Sequence, residues 1–482
     1  MNKAKDLFER IKKHKLLISI LILALILRII FVFISPVKLW DETIYANLGY
    51  ELSKNPMHYS FDTNGWSDRI TDGSWPKAGF RPPLLPYILS LFFFFNLSNL
   101  IEFLIPVIGM LNVLVVYFLG KKIFNYKVGV YSALFLAIFP IHVIYSGKIM
   151  TDVFSTFFIS LSILFFWIGF EENKNSYKVL FGLSLALALL TRYTSLWIIP
   201  VFAIYFLLRD KSFKFLKDKF LWVAILVFFL ILSPWFVYSY FTYGNIFGAF
   251  IHGFKAVSYW GGIQPWYFFF TNFWEIFSIF SFIFIISLFI LVYNKQFLNK
   301  KVYFFLIWIS LFFIILSYMP HKEPRYFIPI IPAICLICGV ALSLLKKYAK
   351  IILLVIFIIS LVHLFLIFNS GINNEYTETN ICFKEGAIFL NGVNEDSVVF
   401  SDKSTLGYYF FRKKIITYPE PWNLQILNTF ADRYKDREIY LFITDFQEPV
   451  LEEDYLNLKK DLNLNFEQIF NCNNKTIIYK YN

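Results

Sequence analysis

Apolar runs of about 20 residues recur from Leu16 to Asn369, and they constrain the fold more than any other feature of the chain. At 1.5 Å rise per residue, such a run forms a helix long enough to cross the ~30 Å hydrocarbon core of a bilayer. Inside lipid every backbone N–H and C=O must be satisfied within its own segment, so repeated runs become a bundle of spanning helices. Composition agrees. Of 482 residues 58% are hydrophobic and 16% charged, with 61 Phe, where an average soluble domain has about 25% charged residues. A soluble globular enzyme, a disordered chain and a disulfide scaffold are excluded.

The net charge of +12 is unevenly spread. Residues 371–482 hold 12 Lys and Arg against 17 Asp and Glu, so the basic excess lies before them. Basic residues in a membrane protein gather in cytoplasmic loops, and this excess gives no reason to invoke nucleic acid. The N-terminal stretch carries Lys3, Lys5, Arg10, Lys12, Lys13 and Lys15. The run over 16–34 lacks a small-x-small cleavage site, so it reads as a retained first span with the N-terminus inside. Later basic clusters are Lys121/Lys122/Lys127, Lys174/Lys178, 209–219, Lys295/Lys300/Lys301 and Lys346/Lys347/Lys350. All are cytoplasmic if an even number of crossings separates each from the next. Spans near 100–120, 128–147, 152–170, 178–191, 195–208, 220–240, 267–293, 302–319, 326–345 and 351–369 meet that condition. With the first span they number about 11, provided 84–95 is interfacial or re-entrant, being too short to cross. The expected fold is an all-α polytopic domain over 1–369, with an external loop at 36–83, followed by a small extracytoplasmic α/β domain over 370–482.

In that tail, 397–401, 414–417 and 438–444 are strand-like, 405–411 and 424–434 helical. Residues 466–470 and 476–479 form a closing pair around Asn473-Asn474. Strands alternating with helices predict a parallel or mixed sheet. No Gly-rich phosphate loop follows a strand, which argues against a nucleotide site. Cys335 and Cys338 read as packing residues of an apolar helix. Cys382 and Cys472 can pair if the tail is outside the cell, although spacing alone does not place two Cβ atoms.

The topology sends most remaining charged groups to one membrane face, where ionisable residues mark a site of function. Asp41-Glu42 follows the first span. Asp41 is placed to cap a surface helix, or to act as a general base toward a hydroxyl. Arg81-Pro82-Pro83-Leu84 is a structural corner, or presents Arg81 to a lipid phosphate. Lys148 and Asp152 flank the next external turn, where Thr151 or Asp152 caps a span, or Asp152 holds a metal or orients an acceptor. Arg192 stands at the tip of a helical hairpin in Leu190-Thr191-Arg192-Tyr193. In His321-Lys322-Glu323-Pro324-Arg325-Tyr326, three charges and a His sit between two apolar spans, and Arg325 can offer a bidentate fork to phosphate.

This ordered set resembles the GT-C superfamily of membrane glycosyltransferases, in its protein mannosyltransferase and aminoarabinose transferase branch. The resemblance covers roughly 15–345. It implies a polyprenyl-phosphate-linked sugar donor, a hydroxyl acceptor on protein, lipid or glycan, and inversion by one displacement at the outer face of the cell membrane. Asp41 would be the base, with Glu42 beside it on the acceptor. Arg325, Lys322, His321 and Arg192 would hold the donor phosphate, and Asp152, Lys148 and Arg81 would complete the acceptor side. No metal ligand set is demanded and no cofactor is required, while a divalent metal remains compatible. A Trp-Trp-Asp-like acceptor motif is missing, a departure from the metal-dependent oligosaccharyltransferases. The alternative class is a polytopic transporter of lipid-linked or small solutes. It would place its charges near the bilayer midplane and often in repeated halves, neither of which is seen.

Overall fold

The computed structural model describes residues 2–34, 37–38, 40–60, 78–260, 263–401, 403, 414–416, 434–445 and 466–481. The apolar runs are helices throughout. The first are α1 (Asn2–Val32), α2 (Trp40–Lys54), α3 (Leu84–Phe94), α4 (Leu104–Ile123), α5 (Tyr126–Ile138) and α6 (Pro140–Ser146). Then come α7 (Thr151–Phe166), α8 (Asn175–Thr191), α9 (Ile198–Asp210), α10 (Lys219–Tyr243), α11 (Gly248–Trp260) and α12 (Phe268–Thr271). The last are α13 (Phe273–Phe277), α14 (Phe280–Tyr293), α15 (Lys300–Tyr318), α16 (Ile331–Leu344), α17 (Ala349–Glu375) and α18 (Glu378–Asn391). Eight helices among the described residues are long and apolar enough to cross a bilayer, or nine with the bent pair α5–α6. The shorter α8 and α14 occupy the two remaining stretches expected to cross, and the 11-residue α3 occupies the one expected not to.

Two expected spans are not single rods. The run over 267–293 is broken into α12, α13 and α14, with Ser278 in the left-handed region (φ 52°) at the last break. The run over 128–147 bends by 60° between α5 and α6. Pro140 lacks an N–H, so the carbonyls before it lose a helical donor. Arg28, fully buried in α1, supplies the donors instead. Its guanidinium reaches Leu136 O at 3.1 Å, Ala137 O at 3.2 Å and Ala24 O at 2.8 Å. It also meets His142 Nδ1 at 2.9 Å, and Asn112 Nδ2 meets the other ring nitrogen at 3.1 Å. Gly109 makes the room, since a Cβ there would sit 2.6 Å from Arg28 Nε.

The chain forms two compact units. The first comprises Met1–Val32, Gly79–Leu84 and Glu102–Ile367. At one of its ends the basic loops are tied together by acids. Arg209 and Lys300 reach Glu171 at 3.0 and 3.3 Å, Lys122 and Lys174 reach Glu172 at 3.0 and 3.7 Å, and Lys178 reaches Asp218 at 2.7 Å. Four basic clusters thus share one face, as the alternation of clusters requires.

The second unit comprises Phe33–Ala78, Leu85–Ile101 and Phe368–Asn482. Its sheet has the order β2-β1-β3-β5-β4, from β1 (Val398–Phe400), β2 (Lys414–Ile416), β3 (Ile439–Thr444), β4 (Phe466–Cys472) and β5 (Thr476–Tyr481). β1 runs parallel to β2 and β3, while β5 runs antiparallel to β3 and β4, so the sheet is mixed. Asn473 and Asn474, both at positive φ, turn the β4–β5 hairpin. Phe383, Ala387 and Leu390 of α18 pack on Val399, Tyr440, Phe442 and Ile478, and Val37 enters the same core. Cys382 and Cys472 form a disulfide. The helices expected at 405–411 and 424–434 fall outside the described residues, apart from Tyr434 in a turn.

Candidate active site

Three connections meet at the end of the first unit away from the ion-pair network. α7 begins at Thr151 and its helical run continues to Glu171, so Asp152 and Glu171 mark opposite ends of one rod. The turn before α7 lies directly on the end of α1: a Cβ on Gly147 would be 2.6 Å from the Phe31 carbonyl carbon. Only glycine fits there, which fixes where Lys148, Met150 and Asp152 emerge.

Asp152 is a buried first-turn acid of α7, where the helix dipole favours a negative charge. Arg192 follows the last residue of α8 and puts Nη1 2.9 Å from Asp152 Oδ1 and 3.3 Å from Thr151 Oγ1. Its Nε donates to Thr194 Oγ1 at 3.1 Å. Arg325 opens the turn Pro324–Ile330 and forks onto Glu323, with Nε 2.6 Å from Oε2 and Nη2 2.8 Å from Oε1. Its Nη1 touches Met150 Sδ at 3.3 Å, which joins this loop to the α6–α7 turn. Both cations lie over the Tyr326 ring, whose centre is 5.1 Å from the Arg192 guanidinium carbon and 5.9 Å from that of Arg325. A ring face attracts such cations electrostatically. Glu323 gathers the rest, with His321 Nε2 at 3.1 Å and the Tyr326 hydroxyl at 3.3 Å from Oε1.

Lys322 bonds within its surroundings in this structure. It is buried, and its Nζ donates to Gln264 O at 2.8 Å and to Met319 O. Its backbone N–H donates to the Gln264 side chain. These bonds latch the 319–325 loop to the segment before α12, and burial pushes the ammonium below its usual range. Lys148 is half-buried, with Nζ 5.5 Å from the Tyr145 ring centre. Arg81 lies over the Phe80 ring at 4.8 Å. Its segment is tied to the Arg192 turn, because Tyr193 donates to Gly79 O at 2.7 Å. The first unit therefore brings Arg192, Asp152, Arg325, His321 and Glu323 into one cluster.

Asp41 and Glu42 belong to the second unit. The helix starts two residues earlier than an Asp41 cap would have it, at Trp40, so both acids are first-turn residues and Asp41 does not cap it. Asp41 is half-buried and Glu42 buried. α2 lies close on α3, since a Cβ on Gly49 would be 2.7 Å from Leu89 Cβ. Residues 61–77 of the expected external loop are outside the described residues. Sequence reasoning missed Tyr326 as the ring shared by the two cations and Met150 as the link to α7. The adjacency Arg325-Tyr326 was the available signal. Among the described residues no group of three His, Cys, Asp or Glu is arranged to hold a metal.

Residues 80–238 match the family of dolichyl-phosphate-mannose-protein mannosyltransferases. A protein of Aquifex aeolicus is 28% identical over 308 residues, 61% of this chain and 60% of its own. The undecaprenyl phosphate-alpha-4-amino-4-deoxy-L-arabinose arabinosyl transferase of Wigglesworthia glossinidia brevipalpis is 26% identical over 205 residues, 40% of this chain and 34% of its own. The chain thus matches less than two thirds of the length of these curated relatives. Among solved structures, ArnT from Cupriavidus metallidurans bound to undecaprenyl phosphate superposes with a TM-score of 0.69 at 14% identity, over 96% of this chain and 97% of that one. Archaeal oligosaccharyltransferase AglB from Archaeoglobus fulgidus, in complex with an inhibitory peptide and a dolichol-phosphate, gives 0.59 at 14% identity, over 90% and 70%. These likenesses show a shared multi-pass membrane fold. Taken with the family match over residues 80–238 and the helical architecture, they support the resemblance to the GT-C superfamily.

Proposed function

We propose that the protein transfers a sugar from a polyprenyl-phosphate donor to a hydroxyl acceptor at the outer face of the membrane, with inversion at the anomeric carbon. The observation that carries this reading is the pair of guanidinium groups, Arg192 and Arg325, flanking Tyr326 at one end of the first unit. A lipid phosphate keeps its isoprenoid chain in the bilayer and its head at that boundary. The departing phosphate gains charge as the C1–O bond breaks, and fixed cations stabilise that charge most in a water-poor site. Arg325 is the phosphate fork and Arg192 the second cation, while Lys322 holds the Arg325 loop in place. Asp41 takes the acceptor proton as the hydroxyl oxygen bonds to C1 from the opposite side, and the electron pair of the broken bond leaves on the phosphate. The relatives named for mannosyl and aminoarabinosyl transfer support this reaction class.

The test is sugar transfer by purified protein from defined polyprenyl-phosphate sugars. Asp41→Asn is expected to keep folding and undecaprenyl phosphate binding while turnover falls about 10²–10⁴-fold, the usual worth of a general base. Near-wild-type turnover removes Asp41 from the mechanism. Loss of folded protein returns it to a structural role at the start of α2.

A further inference from the structure

The face that carries the ion-pair network also carries lysines outside it. Lys127, in the first turn of α5, and Lys350, in the first turn of α17, are exposed. Among the described residues neither has an acidic partner, although Lys122, Lys174, Lys178 and Lys300 on the same face do. Both line an open groove of about 560 Å³ between α1, α5 and α17. Its walls are apolar, including Leu16, Leu23, Val130, Leu134, Leu353 and Phe357. The lining positions run about two turns along each helix, and the lysines stand where α5 and α17 begin. The groove is therefore cationic at its mouth and hydrocarbon-like along its length. The volume falls within the ~300–1,000 Å³ typical of small-molecule sites.

We propose that this groove binds an anionic glycerophospholipid. Its phosphate lies at Lys127 and Lys350, and one acyl chain lies along the apolar wall. Two ammonium groups at helix starts attract a phosphate through charge and through the helix dipole alike. An uncharged or zwitterionic headgroup gains much less from the same mouth. The site is separate from the Arg192–Arg325 cluster, because the chain enters α5 at Lys127 and reaches Lys148 only after α6. It is also independent of the proposed transfer reaction. A lipid seated there would hold α17 against α1 and α5.

The experiment is native mass spectrometry of the purified full-length protein. It is delipidated in detergent and titrated with phosphatidylglycerol or phosphatidylcholine of matched acyl chains. Wild type should retain phosphatidylglycerol roughly tenfold better, in keeping with two surface-level lysine contacts. Lys127→Ala with Lys350→Ala should abolish that preference. Leu134→Trp, which fills the groove without touching the charges, should remove the bound lipid. Arg325→Ala should leave the preference intact, and millimolar inorganic phosphate should not displace the lipid. A wild-type preference in the folded double variant overturns the proposal. So does equal retention of both lipids, displacement by inorganic phosphate alone, or loss of the preference in Arg325→Ala.

Discussion

Arg192 and Arg325 are held by carboxylates of different standing. The Asp152 side chain is 1% exposed and that of Glu323 is 31% exposed. In the proposed reaction the donor phosphate displaces the half-open Glu323 from Arg325, whereas Asp152 stays as a fixed counter-charge. Asp152→Asn should therefore cost about 3 kcal/mol of stability, the low end for breaking a buried pair, measured by thermal unfolding in detergent. Glu323→Gln should leave the melting temperature nearly unchanged and bind undecaprenyl phosphate at least as tightly as wild type. Arg325→Ala should weaken that binding by about one to two orders of magnitude, since a charged hydrogen bond is worth roughly 1.5–3 kcal/mol. Arg325→Lys should fall between, because an ammonium lacks the fork. Unchanged affinity in folded Arg325→Ala sinks the phosphate role. The sequence showed these residues as charges in external turns. It could not show that Lys322 bonds inward to its own loop while its neighbours face Tyr326, because alternate directions of side chains in a short loop follow from backbone turns that leave no periodic trace.

At the level of elements, the apolar runs read as helices because length and hydropathy suffice where lipid forbids any other backbone. The 60° bend between α5 and α6 was harder to read, although Pro140 is plain in the sequence. A proline in a spanning run is tolerated whenever something else satisfies the freed carbonyls, and here that donor comes from Arg28, far away in the chain. An arginine inside the first apolar run was the overlooked signal. Arg28→Leu should remove the donors to Leu136, Ala137 and His142 together, lowering the melting temperature by several degrees and opening the α6–α7 turn to protease. A melting curve like that of wild type would show that the bend holds without it. α18 was also missed, although Cys382, Phe383, Gly386, Ala387 and Leu390 have the spacing of a buried helical face and Thr377 caps it.

The whole molecule turns on sidedness and on the make-up of its second unit. Reporters fused after Lys122 and after Asn369 should read cytoplasmic and extracytoplasmic respectively; the same side for both would dismantle the alternating topology. The Cys382–Cys472 disulfide fits an oxidising compartment for the tail. Val37, four residues before Asp41, is buried in the core built by α18 and the sheet. Val37→Asp should therefore depress sugar transfer sharply while undecaprenyl phosphate binding at Arg325 persists, and equal loss of both would point to general unfolding instead. The same packing sets an order of events in biosynthesis. The ribosome makes the Asp41 segment well before its supporting core, with more than 300 residues between them. At ~5–20 residues per second that interval is on the order of half a minute. A nascent chain can thus have its early helices in the membrane while the proposed base still lacks its packing core, so a chain stopped before β5 is expected to transfer no sugar.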